Sequence, residues 1–161
     1  MRLWHYKLIP YLPNSQLLAQ WRELNSIFKK QDKHILINYI YEYPKNDLAV
    51  YTCMVISEME KRKFKINNLQ NAISYFNWND EFIYKCIPNL KNANIKIIPF
   101  KNHHNDRYLL QCYFNLQEKY DRGQKDFSED EYWKLYEIAE KINNRVWICD
   151  LEQEWLDNGK D

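Results

Sequence analysis

Arg22 and Glu23 stand side by side in "QLLAQWREL" (residues 16–24), and a carboxylate next to a cation is a pair that can move protons and hold an anion. Helical spacing puts Leu17, Trp21, Leu24 and Phe28 on one apolar stripe. Glu23 then projects from the opposite side, with Arg22 on its flank and the small residues Ala19 and Ser26 leaving open space around the carboxylate. Taken alone this pattern reads as a solvated helix face. Other chemistry-bearing types are sparser. His103 and His104 are adjacent but lack a second ligand pair at metal spacing, and read as loop residues. Cys53, Cys86, Cys112 and Cys149 are widely spaced without a C-x-x-C, which points to reduced, mostly buried thiols and to no metal site. "EYWKLYE" (131–137) offers Tyr132, Trp133 and Tyr136, suited either to a helix core or to stacking on bases.

These residues need elements to hold them. The 161-residue chain has only two glycines and five prolines, with 45% hydrophobic and 16% aromatic residues, which excludes a linker-dominated or low-complexity protein. It suffices for one domain with a real core. Pro10 and Pro13 make the opening irregular, and Asn14 or Ser15 is expected to cap a first helix running to Lys29 or Lys30. "HILINYIYEY" is ambiguous between a short helix or loop and its strand-like composition. Leu48, Tyr51, Val55, Met59 and Arg62 mark a second helix. Residues 67–106 read as loop with at most short helical or extended pieces. Tyr108, Cys112, Leu116 and Tyr120 predict a helix from Asp106 to Arg122, with Gly123 as its stop. Ser128 and Glu131 form a capping box for the next, whose stripe is Tyr132, Leu135, Tyr136, Ala139 and Ile142. The end, from Arg145, reads as a short strand or a final helical turn. The expected fold is mainly α: a single compact helical domain over 1–161.

The net charge of +1 conceals a division, since residues 1–125 carry +8 and residues 126–161 carry −7. A basic body suits a polyanionic partner, and the acidic C-terminal segment suits a solvated helix. No apolar run approaches a membrane span and no leader pattern opens the chain, so a soluble protein without a membrane partner is expected.

The segment "LIPYLPNSQLLAQWRELNSIFKKQDKH" (Leu8 to His34) resembles the pyrimidine-dimer DNA glycosylase family of endonuclease V type. Arg22, Glu23 and Leu24 correspond to that family's Arg-Glu-Leu triplet, Phe28 to its Phe, and Lys33 and His34 to its Lys-His pair. "SEMEKRKFKI" (Ser57 to Ile66) is similar to a family helix end that usually has glycine where this chain has Lys63. "NLQEKYDRG" is similar to a later helix with a basic residue at Lys119.

The resemblance implies a compact α-helical DNA repair enzyme needing no cofactor. Such an enzyme cuts the glycosidic bond of the 5′ base of a cyclobutane pyrimidine dimer and then breaks the strand by β-elimination. By this correspondence the N-terminal α-amine is the nucleophile, Glu23 stabilises the sugar cation and moves protons, and Arg22 meets phosphate. The family's threonine amine, exposed when the initiator methionine is lost, has no counterpart here. Arg2 follows Met1 and its bulk prevents that removal, so the expected amine is that of Met1. Ser26, Gln16 and Asn115 replace an arginine, a histidine and an arginine of the family, which predicts weaker or redirected DNA binding. Arg2, Lys7, Lys30 and Lys33 are candidate compensations. Together with His34, Lys119, Trp133 and Tyr136 they complete the expected contacts to double-stranded DNA carrying a damaged or abasic site. The expected setting is the cytoplasm, nucleoid-associated or that of a host cell if phage-encoded, and the expected state is a monomer. The competing expectation is a non-catalytic nucleic-acid or protein binding module on the same scaffold.

Overall fold

The computed structural model describes residues 2–30, 34–79 and 98–158, the last part from residue 145 as backbone alone. Among the described residues the regular elements are all helical: a 3-10 helix Tyr6–Tyr11, α1 (Asn14–Lys29), a second 3-10 helix Asn38–Glu42, α2 (Lys45–Lys61), α3 (Leu69–Phe76), α4 (Asp106–Asp121) and α5 (Glu129–Asn158). The fold is therefore mainly α, and no described helix is long and apolar enough to cross a membrane.

The stripe on α1 folds as its spacing predicts. Leu17, Trp21 and Leu24 are buried with Ile27, and Phe28 packs edge-on against Phe76 of α3 at 5.4 Å between ring centres. The cap differs from the expectation. Pro13 occupies the N-cap and its carbonyl takes the N–H groups of Gln16 and Leu17, at 2.9 and 3.0 Å. Asn14 and Ser15 are drawn to tertiary partners instead: Asn14 Oδ1 accepts from the Arg62 guanidinium at 2.9 Å, and the Ser15 hydroxyl donates to Asp126 at 3.1 Å. The same Asp126 carboxylate accepts the Ser15 N–H, so an acid from a distant segment serves the helix start.

Arg62 fastens the end of α2 to the beginning of the chain. Its guanidinium bonds the Glu58 carboxylate at 2.8 Å and donates to the carbonyls of Leu12 and Pro10 at 2.6 and 3.0 Å. Lys63 follows with φ of 60°, the left-handed residue of a helix stop in which Phe64 N–H bonds Met59 O and Lys63 N–H bonds Glu60 O, both at 2.9 Å. This is the position where the resembling family usually has glycine.

"HILINYIYEY" resolves into a turn and the second 3-10 helix. Neighbours Tyr39 and Ile40 are both buried, a pattern that the alternation of a half-buried strand does not allow. In the region read as loop, α3 is a short helix bounded by Asn68 and Asn77, both left-handed; residues 80–97, including Cys86, lie outside the described residues. α4 ends at Gly123, whose φ is 75°, and α5 opens with the reciprocal Ser128–Glu131 capping box at 3.0 and 3.2 Å. Beyond Arg145 the backbone is neither a strand nor a single turn: α5 continues to Asn158. α5 packs on α4 and on the first 3-10 helix, sinking Leu135, Ala139 and Ile142 into the core.

Candidate active site on the first helix

Residues 2–5 run extended across α1, and alternation turns successive groups to opposite sides. The N–H of Arg2 donates to Glu23 Oε2 at 3.2 Å and the N–H of Trp4 to Gln20 Oε1 at 2.8 Å, two acceptors one helical turn apart. Between them the Leu3 carbonyl accepts from the Tyr108 hydroxyl at 2.6 Å. The segment is thus a strap held on both sides.

Glu23 is half-buried, so the solvated face read from the helix pattern alone is corrected: the strap crosses the side that the stripe leaves outward. Burial raises its pKa above the ordinary carboxylate value, with the Arg2 N–H and the charges of His34 and Arg22 pulling the other way. The Gln20 amide N–H reaches the same carboxylate at 3.4 Å. Gln20 is fully buried, and its oxygen accepts both the Trp4 N–H and a share of the Tyr51 hydroxyl proton, which lies 2.9 Å away and 2.8 Å from the Trp4 carbonyl. With Oε1 so committed, the NH2 group must point toward Glu23.

Beneath the strap lies a second set of polar groups. Lys7 N–H donates to Nδ1 of His5 at 3.2 Å, so the His5 hydrogen sits on Nε2 and goes to the His104 carbonyl at 2.8 Å. Tyr6 N–H likewise meets Nδ1 of His104 at 3.3 Å, which leaves His104 Nε2–H for the Tyr39 oxygen at 2.8 Å. Tyr39 lies close enough to the Tyr108 hydroxyl to act on it, and Tyr108 donates to the Leu3 carbonyl. Burial holds both imidazoles neutral, lowering His5 to about 4 and His104 to about 2. His103 and His104 are loop residues, as read, but His104 is buried; His103 stacks on Tyr39 at 3.5 Å.

The remaining expected site residues fall into two groups. Arg22 is exposed and lines an open cleft of about 480 Å³ with Asn25, Ser26, Lys29, Lys65 and Asn67. Lys30 caps the end of α1, and His34 is exposed yet near enough to act on Glu23. The Arg2 guanidinium is turned to the Cys112 thiol, beside Tyr108. Cys53 and Cys112 are buried and in no disulfide, as read from their spacing. Met1 and Lys33 lie outside the described residues. The second group is on α4 and α5: Lys119 borders a hollow with Asn115 and Arg122, while Trp133 and Tyr136 stack edge-on at 5.5 Å and give their polar hydrogens to Glu129 and Glu140.

Gln20, Tyr51, His5, His104, Tyr39 and Tyr108 were not among the expected site residues; spacing marked Tyr51 and Tyr108 only as helix positions. One signal was available for Gln20: it occupies a stripe position, three before Glu23 and three after Leu17, where a polar side chain has to find partners inside.

No curated protein and no solved structure matches the chain. Residues 1–71 match the family model described as pyrimidine dimer DNA glycosylase. That span, under half of the chain, holds the strap, α1 with Arg22 and Glu23, α2 and the start of α3, and over it the chain is similar to the pyrimidine dimer DNA glycosylase family.

Proposed function

We propose that the protein is a DNA repair glycosylase and abasic-site lyase acting on pyrimidine dimers, with the α-amine of Met1 as nucleophile and Glu23 as its acid–base partner. The observation that carries this reading is the 3.2 Å bond from the Arg2 N–H to Glu23. The α-amine of Met1 is three covalent bonds from that nitrogen, so bond lengths keep the two nitrogens within about 3.8 Å of each other. An amine with an ordinary pKa near 8 is partly neutral at physiological pH, as a nucleophile must be.

In the reaction the amine nitrogen bonds to C1′ as the glycosidic bond breaks and the base leaves with the bonding pair. Loss of the amine proton and opening of the sugar ring, with O4′ protonated, give a protonated imine. A base then takes a C2′ proton and the 3′ phosphate departs with the C3′–O pair; water finally hydrolyses the imine and restores the amine. Glu23 serves as the base at C2′ and the acid at O4′, and its charge stabilises the cationic sugar. Burial suits it to both tasks, because a raised carboxyl pKa brings proton gain and loss closer to neutral pH. Arg22, Lys29 and Lys65 along the open cleft supply cations to neighbouring phosphates.

One observation favours a non-catalytic binding module: the Arg2 side chain, the bulky departure at the second position, lies close enough to the buried Cys112 thiol to act on it. The two readings separate on borohydride reduction with duplex DNA containing an abasic site. The enzyme forms a covalent adduct that acetylation of the α-amine abolishes; the binding module forms none.

A further inference from the structure

The turn that follows α1 ends in two apolar side chains that the core does not use. Ile35 is 83% exposed and Leu36 43%, whereas Ile37 is fully buried and Tyr39 and Ile40 nearly so. The tip is not slack. The His34 carbonyl accepts the N–H of Ile37 at 2.9 Å and of Asn38 at 3.1 Å, and the Leu36 N–H bonds Nδ1 of His34 at 3.3 Å. With Ile37 as its root, the turn cannot fold Ile35 back onto the protein without breaking these bonds.

The helix that precedes the tip ends in cations. Lys29 and Lys30 end α1 on exposed positions, Lys29 lines the cleft with Arg22, and His34 acts on Glu23. An occupant must therefore offer apolar surface set inside a dense anionic framework, close to the carboxylate. Stacked bases between phosphate strands have that composition, and apolar wedges inserted between base steps are a known means of unstacking and kinking a duplex.

We infer that Ile35 and Leu36 form a wedge that enters the base stack of duplex DNA beside the lesion, opening the step whose sugar Glu23 addresses. This deepens the proposed repair function and rests on it. The wedge separates a damaged site from intact duplex because a step already distorted is cheaper to unstack, while the lysines hold either one.

The test uses the full chain and a duplex carrying a thymine dimer with 2-aminopurine in the adjacent step. Wild type is expected to raise the 2-aminopurine emission on binding. Ile35→Ser with Leu36→Ser, both on exposed positions, is expected to abolish that rise and to weaken dimer-duplex binding by roughly tenfold. Affinity for undamaged duplex and the steepness of its salt dependence should stay as in wild type, because the cations are untouched. An unchanged emission response in a variant that still binds with wild-type salt dependence would overturn the wedge and leave the repair reading standing. An equal loss on damaged and undamaged duplex would also overturn it, as would loss of binding to phosphatidylserine vesicles with the DNA response intact. Absence of any salt-dependent DNA binding by wild type would remove the repair reading and the wedge together.

Discussion

At the scale of single residues, the strap is held by buried polar side chains and by the half-buried Glu23. Each has partners in a fixed direction: His104 to Tyr39 to Tyr108 to the Leu3 carbonyl, and Tyr51 to Gln20 to Glu23. Such networks hold the strap to one geometry provided that every member stays in its protonation state. The two buried histidines make that condition measurable. A folded pKa below the unfolded one means that the unfolded chain binds more protons, so stability is fully present above about pH 6.5 and falls as the pH drops toward the folded value. For His5, lowered to about 4, the loss is on the order of 3 kcal/mol once pH 4 is passed, and His104 extends the decline further. Urea unfolding between pH 7.5 and 4.5 is expected to show this fall, and His5→Gln, which lacks the titrating ring, to reduce its slope. An equal slope in the variant would mean that other groups cause the acid sensitivity. Glu23 was legible as a candidate through the family resemblance, since the helix pattern alone reads as a solvated face. Its burial was not, because the strap that covers it arrives from outside the helix pattern. His104 was read correctly as a loop residue, but its burial was not legible for the same reason: Tyr39 and the first 3-10 helix close over it from elsewhere in the chain.

At the scale of elements, helix stops and starts were the most legible features where their signal is local. The Ser128–Glu131 box and Gly123 behave as short-range pattern requires, since all partners lie within a few residues. Signals that tertiary partners can outbid were less informative. Asn14 and Ser15 are good N-cap residues, yet Arg62 and Asp126 recruit them and Pro13 takes the cap. The strand-like "HILINYIYEY" yields a 3-10 helix because burial selects adjacent residues. Lys63 connects the two cases: the stop geometry is dictated locally, and the residue type fits it poorly. A non-glycine residue in the left-handed region costs about 1–2 kcal/mol, partly offset by the greater unfolded freedom of glycine. Lys63→Gly is therefore expected to stabilise the protein by about 0.5–1 kcal/mol, read as a rise in urea midpoint at constant slope. A lowered midpoint would show that the Lys63 side chain contributes more than its strained backbone costs.

At the scale of the whole molecule, the division of charge and the division of the fold do not coincide. The acidic segment from 126 onward is not an appendage: Leu135, Ala139 and Ile142 of α5 belong to the core, and Asp126 serves the start of α1. Arg22, Lys29 and Lys65 line the cleft beside α1, and the strap crosses α1 at Glu23. Composition revealed the two charges, but only packing shows that the acidic helix rests on α4 and on the 3-10 helix that leads into α1. The central claim is that this assembly is a reaction centre and not only a binding face. Glu23→Gln tests it most directly, because the amide keeps size and an acceptor for the Arg2 N–H while removing the charge. Incision of dimer-containing duplex is expected to fall by about a hundredfold or more. DNA affinity should hold or rise, since a carboxylate that repels phosphate is gone. Incision at the wild-type rate by a folded Glu23→Gln protein would contradict the account.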